Sequence, residues 1–228
     1  ADWTLRASDP AYGISLELHP LSAPVLNGDR GLSIKSGEPG AASYYYSIPH
    51  IAVRGQLVRS GSGVRTSSGR TPGAARVLDV SGTAWLDREW GSGSLGAHQQ
   101  GWDWYGLQLA DGSALMFYAL RDDDGERDPH SAGTWIEPDG SSRPLASGDV
   151  RIDVLNHWTS PRGARYPSRW RIRVKSLSLD VTVTPVLADQ ELDAAPRYWE
   201  GDVDVAGTRR GKRLSGQGYV ELVGYAGR

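Results

Sequence analysis

The sequence predicts an all-β protein built from antiparallel strands. Apolar residues alternate with polar residues along most of the 228-residue chain, and this period of two is typical of half-buried strands. Turn signals such as "LADGSAL", "RDDDGER" and "SPRGARYP" separate the alternating runs at short intervals. No segment of helical length repeats its apolar residues at three and four. We therefore expect a closed or sandwiched antiparallel sheet, because closure removes exposed strand edges.

The predicted strands follow one another along the chain. The clearest is "RWRIRVKSLSLDVTVTP", in which Trp170, Ile172 and Val174 alternate with basic residues, and it predicts two strands or one long bent strand. The other predicted strands are "ISLELHP", "YYYSIPHIAVRGQL", "TAWLDREWGSG", "GWDWYGLQL", "ALMFYALR", "AGTWIEP", "DVRIDVLNHW", "YWEGDVDVAG" and "GYVELVGY".

Two segments depart from the strand pattern. "ADQELDAAPRYW" could hold a short helix that ends at Pro196. Residues 60–77, "SGSGVRTSSGRTPGAARV", are rich in Gly, Ser, Thr and Arg and predict a mobile loop or linker. We place a domain boundary in this stretch.

Charge and cysteine content exclude several classes of function. The formal net charge of -2 lacks the positive excess that is typical of nucleic-acid-binding proteins, so no nucleic-acid partner is expected. The absence of cysteine excludes disulfides, thiol nucleophiles and Cys-type zinc sites. No apolar run reaches the 18 or so residues of a membrane span. These features leave the compartment open, with an exported or periplasmic protein favoured over a cytoplasmic one.

Familiar catalytic and metal-binding motifs are missing. The sequence has no G-x-S-x-G, no H-E-x-x-H and no Gly-rich phosphate loop. Its five histidines are dispersed, so no metal and no other cofactor is expected. Nine Trp and ten Tyr stand against one Phe, a surplus that suits either a β core or the walls of a ligand cavity. Both interpretations stay open for Trp85 and Trp104.

The stretch "TAWLDREWGSG" places charges between two tryptophans. Alternation puts Trp85, Asp87 and Glu89 on one face of the strand and Leu86, Arg88 and Trp90 on the other. Asp87 or Glu89 could form a structural ion pair with Arg88, Arg121 or an arginine elsewhere in the chain and so close a barrel end. Asp87 could instead be a general acid, which would require a desolvated, aromatic-walled pocket to keep it protonated near neutral pH.

Six motifs in order resemble a known family. "GTAWLDREWGS", "GWDWYGLQLADGSALMFYALR", "YPSRW", "DQEL", "YWEG" and "GYVELVGY" are similar to the lipocalin-like family of bacterial carotenoid 1,2-hydratases and AttH-type proteins, and they match the AttH-type branch more closely. The resemblance implies two packed lipocalin-like β-barrels. Because the usual member has a longer N-terminal region, residues 1–76 are expected to form part of a first barrel and 77–228 a complete second barrel. A partner chain or homodimer could complete the first barrel.

The resemblance also implies an activity and a ligand class. Family enzymes add water to an isolated alkene or guide cyclisation of polyene, terpenoid or polyketide-like ligands. The hydratase branch carries an aromatic-x-Asp that here is Trp85-Leu86-Asp87, and an aromatic and His cluster on the preceding strand that here runs from Tyr44 to His50. The family pattern "DHEW" has His where this chain has Arg88, which weakens a proton-relay role for that position.

These observations lead to one main hypothesis and two alternatives. The main hypothesis is a cofactor-free, acid-catalysed hydratase or cyclase that acts on an apolar alkene, with Asp87 as the acid and Glu89, His50 or Tyr118 positioning water. Aromatic rings would line the cavity and stabilise a carbocation, and the candidates are Tyr44, Tyr46, Trp85, Trp102, Trp104 and Tyr118. The first alternative is a non-catalytic carrier of a hydrophobic small molecule, and the second is a purely structural β domain.

Overall fold

The computed structural model describes residues 2–66, 69–91 and 95–226. These ranges contain sixteen strands and two short 3₁₀ turns, the turns at Ser147–Asp149 and Lys175–Leu177. The strands are β1 (Trp3–Ser8), β2 (Tyr12–Pro20), β3 (Val25–Leu26), β4 (Leu32–Ile34), β5 (Ala42–Thr66), β6 (Gly69–Gly91), β7 (Gln99–Leu109), β8 (Ala114–Asp122), β9 (Ala132–Ile136), β10 (Ser142–Ala146), β11 (Val150–Thr159), β12 (Arg165–Val174), β13 (Leu179–Pro185), β14 (Glu191–Leu192), β15 (Tyr198–Arg209) and β16 (Lys212–Val223). The predicted all-β class is confirmed.

The chain forms two compact units. The first unit comprises Ala1–Pro24 and Ile48–Leu86, and the second comprises Val25–Ser47 and Asp87–Arg228. Within the first unit, β1 pairs with β2, and β2 pairs with the second part of β5. The predicted division into partial and complete barrels at residues 76 and 77 stays a prediction, because these units describe backbone packing rather than barrel closure.

The second unit contains a large antiparallel sheet. Its strands follow the order β10-β9-β8-β7-β16-β15-β13-β12-β11, and β14 pairs with β15. The neighbours pair antiparallel, as the hairpin signals predict. The short strands β3 and β4 pair with the first part of β5, between Ala42 and Ser47.

Alternation along the strands gives this large sheet two different faces. One face packs into the hydrophobic core of the second unit, where Trp135, Trp170 and Trp199 are fully buried. On β7, Tyr105 and Leu107 belong to the core face, so Trp102 and Trp104 lie on the opposite face and are half-buried. This opposite face carries the candidate site described below.

Two segments differ from the predictions. "ADQELDAAPRYW" contains strand β14 instead of a helix, because the backbone of Glu191 pairs with that of Trp199 and the Glu191 carboxylate accepts hydrogen bonds from Ser160 and Tyr166. The predicted linker at 60–77 belongs to β5 and β6 where the structure describes it, and residues 67 and 68 lie outside the described residues. Its polar composition therefore marks strands and not a linker.

The segment 169–185 forms two strands, which is one of the two outcomes that the sequence predicts. β12 and β13 are joined by the second 3₁₀ turn, and Ser178 takes a φ of 50° at the reversal. Across the ranges that the structure describes, no helix has the length and apolar character needed to cross a membrane.

Candidate functional site

The first part of β5 and the last part of β6 bring hydroxyl groups to the Asp87 carboxylate. Tyr45 Oη donates a hydrogen bond to Asp87 Oδ2, and Ser47 Oγ donates to Oδ1 at 2.5 Å. Ser43 Oγ donates to Glu89 Oε1 in the same way. Because residues two apart on a strand share a face, Asp87 and Glu89 lie on one face of β6, as predicted.

A chain of hydrogen bonds converges on Asp87 from two sides. On one side, Thr134 donates to Asn27 at 2.7 Å and Asn27 donates to Ser47 at 2.9 Å. On the other side, Trp104 Nε1 donates to Tyr45 Oη at 2.9 Å. Donors directed at both carboxylate oxygens favour the ionised form of a carboxyl group. The Asp87 side chain is exposed, so the desolvated pocket that an acid role requires is not observed around it.

Tyr45 is the buried member of this network, with only 2% of its surface exposed. Burial raises the pKa of Tyr45 well above its usual range, and the Asp87 carboxylate raises it further. Tyr45 therefore keeps its proton and stays a donor to Asp87 at neutral pH. The indole of Trp104 completes the bonding of the phenol oxygen.

Lys35 neutralises Glu89 and covers an aromatic ring. Lys35 Nζ lies 2.8 Å from Glu89 Oε1 and 3.7 Å from the centre of the Tyr118 ring. Tyr118 is 5% exposed, and its hydroxyl is 2.8 Å from Ser33 Oγ. The cation of Lys35 thus already occupies a face of the Tyr118 ring. Glu89 forms an ion pair as the structural interpretation expected, with Lys35 as the partner and not Arg121.

Trp104 belongs to a row of side chains that crosses four neighbouring strands. The row runs Tyr118, Trp104, Glu221 and Glu200, each opposite the next in register. Trp102 Nε1 donates to Glu221 Oε1 at 2.6 Å. Burial raises the pKa of Glu221; the Trp102 hydrogen bond lowers it, and the negative charges of Glu200, Asp87 and Glu89 raise it further.

Gly106 leaves the space that the Trp104 ring occupies. A Cβ atom at Gly106 would lie 2.2 Å from Cη2 of Trp104. This distance is far inside van der Waals contact, so any larger residue at 106 must displace the indole. The glycine is required for space, and the Trp104 bond to Tyr45 depends on it.

A Gly106→Ala variant is expected to shift the indole N–H resonance of Trp104 and to lose about 1–3 kcal/mol of unfolding free energy. The resonance is assigned with Trp104→Phe, and stability is measured by urea unfolding. Gly148→Ala is the matched control, since a Cβ there would meet nothing within 4 Å. An unchanged indole resonance in Gly106→Ala would show that the ring does not depend on this glycine.

The structure brings together five of the nine predicted site residues in the second unit. These are Asp87, Glu89, Trp102, Trp104 and Tyr118. His50 and Trp85 belong to the first unit. Their predicted roles stay predictions.

Tyr44 and Tyr46 lie on the other face of β5. Trp90 stacks on Tyr44 with ring centres 5.8 Å apart and meets Tyr46 edge-on at 6.1 Å. Tyr44 and Trp90 are 56% and 51% exposed. These three rings therefore form an exposed aromatic cluster away from the Asp87 carboxylate.

The residues that hold Asp87 in place were not assigned from the sequence. Tyr45 and Ser47 fall within the predicted cluster from Tyr44 to His50 but were given no role of their own, and Asn27 and Lys35 were not identified as site residues. The available signal was the alternation in "SYYYS", which puts Ser43, Tyr45 and Ser47 on one face. Choosing the correct face needs the register between β5 and β6, which the linker interpretation of 60–77 concealed.

Arg121 forms its ion pair with Asp103 and not with the predicted Asp87 or Glu89. Its Nε donates to Asp103 at 3.0 Å, and its guanidinium lies 3.8 Å from the centre of the Tyr225 ring. Tyr225 Oη also donates to Asp103. Within the part of the chain that the structure describes, no three His, Asp or Glu side chains are grouped so as to hold a metal ion.

Comparisons with known proteins agree on a family and a fold. The family model described as AttH-like matches residues 1–225. A protein provisionally designated AttH (NE1406) from Nitrosomonas europaea is 34% identical with a TM-score of 0.84, and the match covers 98% of this chain and 65% of that one. This chain therefore spans about two thirds of the length of that protein. No curated protein sequence matches the chain.

Two more distant structures share the fold. Kievitone hydratase from Nectria haematococca is 18% identical with a TM-score of 0.72, covering 96% of this chain and 64% of its own. CghA is 14% identical with a TM-score of 0.53, covering 100% of this chain and 65% of its own. The predicted lipocalin-like β fold and the resemblance to AttH-type proteins are confirmed.

Proposed function

The chain belongs to the AttH-like family, and from this premise we propose that it is a proton-transfer enzyme that hydrates or cyclises an unsaturated, hydrophobic small molecule. The observation that carries the proposal is the convergence of Tyr45 and Ser47 on the Asp87 carboxylate beside half-buried tryptophans. What distinguishes Asp87 from a buried, paired carboxylate is that it is exposed while these two donors hold it beside the indole of Trp104. The name of kievitone hydratase, a protein of similar fold, supports a hydration reaction.

In this proposal Asp87 acts as the base. The hydrogen bonds from Tyr45 and Ser47 hold the carboxylate in one orientation while its exposed side faces solvent. Such a carboxylate can remove a proton from water as the water oxygen adds to carbon, or remove a proton from a substrate that then closes a ring. The sequence-based hypothesis made Asp87 the acid, and the direction of its hydrogen bonds favours the base.

The aromatic face of the sheet would hold the hydrophobic part of the substrate. Trp102 and Trp104 are half-buried there, and Tyr219 on β16 is 42% exposed on the same face as Glu221. Ring faces bind apolar groups and stabilise a developing positive charge by about 0.5–2 kcal/mol each. Tyr118 has a smaller part in this proposal, because Lys35 already lies over its ring.

The other predicted residues receive different roles. Glu89 and Lys35 form an ion pair that fixes the end of β6 near Asp87. Tyr44 and Tyr46 lie with Trp90 on the face of β5 opposite that of Tyr45, and they take no part in the proton transfer. No step of the proposal uses a metal or an organic cofactor.

An isotope experiment separates this proposal from the alternative of a hydrophobic carrier. The protein is incubated in D₂O that contains heavy oxygen, with a linear polyene, a terpenoid alkene and kievitone, and products are identified by mass spectrometry. We expect an alcohol that carries both isotopes, or a cyclised isomer. A ligand that is retained on gel filtration without any chemical change would contradict the proposal and support a carrier.

A further inference from the structure

Glu221 lies on the aromatic face of the large sheet. Strands β8 and β16 flank β7, so Tyr118 on β8 and Glu221 on β16 stand on opposite sides of Trp104. Glu221 stands opposite Trp104 in one direction and opposite Glu200 in the other. Cross-strand neighbours of this kind have Cβ atoms about 4.5–5.5 Å apart. Trp104 in turn reaches Asp87 through Tyr45. Glu221 therefore stands beside Trp104 in register, Trp104 reaches Asp87 through Tyr45, and the Asp87 carboxylate lies near enough to Glu221 to raise its pKa.

The two carboxyl groups have opposite surroundings. Asp87 accepts hydrogen bonds at both oxygens and is exposed, so its surroundings favour the ionised form. Glu221 is half-buried, accepts a hydrogen bond from Trp102 at Oε1, and faces negative neighbours. Burial raises the pKa of Glu221, and Glu200, Asp87 and Glu89 add to the increase. Two carboxyl groups whose surroundings favour opposite protonation states are the arrangement that acid and base pairs use.

We propose that Glu221 is the proton donor that works with Asp87, and this proposal rests on the proposed function. The Trp102 hydrogen bond fixes one oxygen of Glu221, so the other oxygen can carry the proton toward a ligand on the aromatic face. Glu221 lies in "GYVELVGY", which was identified as a strand and as a family motif but gave no role to its glutamate.

The hydration step balances with water as the co-reactant. The π electrons of the alkene form a C–H bond with the Glu221 proton, and the O–H electrons stay on Glu221 as a carboxylate. A water lone pair then forms the C–O bond at the cationic carbon while Asp87 takes one water proton. Transfer of that proton from Asp87 back to Glu221 through water restores both groups, and the net change is the addition of one water molecule.

The pH dependence of turnover tests the proposal. An acid that must be protonated makes the rate fall as pH rises through its pKa, and a base that must be ionised makes the rate fall as pH drops. We expect Glu221→Gln, which keeps an oxygen for the Trp102 bond, to lower isotope incorporation by about 10² or more and to abolish the alkaline limb. The groups that face Glu221 and affect this limb are Glu200, Asp87, Glu89, Tyr198 and Tyr219.

Three further variants sharpen the test. Glu221→Asp retains a transferable proton and is expected to retain an alkaline limb. Glu200→Gln removes a negative charge beside Glu221 and is expected to move that limb to lower pH. Glu126→Gln, at an exposed position, is the matched control and is expected to leave both limbs unchanged. Near-ultraviolet circular dichroism verifies that each variant retains its packed tryptophans.

The outcomes separate the two proposals. Wild-type turnover that depends on Asp87 but persists in Glu221→Gln with both limbs would overturn the role of Glu221 and leave the proposed function intact. Absence of any wild-type turnover would overturn both. A carboxyl carbon NMR titration gives a reading without substrate: Glu221 is expected to titrate above the ordinary range of glutamate side chains, and titration within that range would also overturn the proposal.

Discussion

An Asp87→Asn variant is expected to incorporate deuterium at no more than about one hundredth of the wild-type rate, because removal of a general base costs 10²–10⁴ in rate. The amide keeps the size of the side chain; its oxygen can accept from one of the two hydroxyls, and its NH2 group can donate to the oxygen of the other. We therefore expect stability to change by only about 1 kcal/mol. Turnover and urea unfolding are measured on the same preparation.

Asp139→Asn is the matched control for this substitution. Asp139 is also exposed and also accepts two hydrogen bonds, from the backbone and side chain of Ser141. It lies in a turn after β9, outside the aromatic face, and its variant should retain the wild-type rate. Equal turnover by Asp87→Asn and Asp139→Asn would remove Asp87 from the mechanism.

An Arg121→Met variant is expected to lose about 3–5 kcal/mol of unfolding free energy at neutral pH. Asp103 is only 7% exposed, and Arg121 and Tyr225 are its hydrogen-bond donors. Removing the guanidinium leaves a buried carboxylate without its counter-charge, and it also removes the Arg121 bond to the carbonyl of Val223. Unfolding in urea at several pH values measures the loss.

The loss in Arg121→Met should shrink as the solution is acidified. Burial raises the pKa of Asp103 even though Arg121 and Tyr225 lower it, and removal of Arg121 should raise it further. The folded state then binds more protons than the unfolded state above the unfolded pKa of about 3.9, so stability falls with rising pH. Between neutral pH and about pH 5 the variant should recover part of its deficit.

The exposed pair of Arg171 and Asp180 provides the control for Arg121→Met. Their side chains are 46% and 39% exposed, and exposed ion pairs contribute about 0–1 kcal/mol. Arg171→Met should therefore change stability little and should show no recovery on acidification. A similar small effect for Arg121→Met would mean that water or a rearranged neighbour compensates Asp103.

Much of the fold follows from the period of two in the sequence. The run from 169 to 185 separates into β12 and β13 as alternation predicts, and the core tryptophans lie on the apolar face. The stretch at 60–77 and the segment around Glu191 were misinterpreted because composition was weighed without tertiary pairing. Backbone pairing with β15 outweighs the local helical preference at Glu191.

The candidate site was predictable only in part. The motif "TAWLDREW" identified Asp87, and its alternation placed Glu89 on the same face. The roles of Tyr45 and Glu221 could not be assigned, because they depend on which strand lies beside which and in what register. The residue pattern of a single strand determines neither its neighbouring strand nor the pairing register between them.

The three consecutive tyrosines of β5 bear on how this site tolerates insertions and deletions. A change of one residue in the pairing of β5 with β6 exchanges the two faces of the strand. Tyr44 or Tyr46 would then take the position of Tyr45, and a phenol would still reach toward Asp87. The serine positions on either side would be lost in the same change. The phenol half of the network therefore tolerates a shift of one residue in pairing, while the half that runs through Ser47 and Asn27 does not.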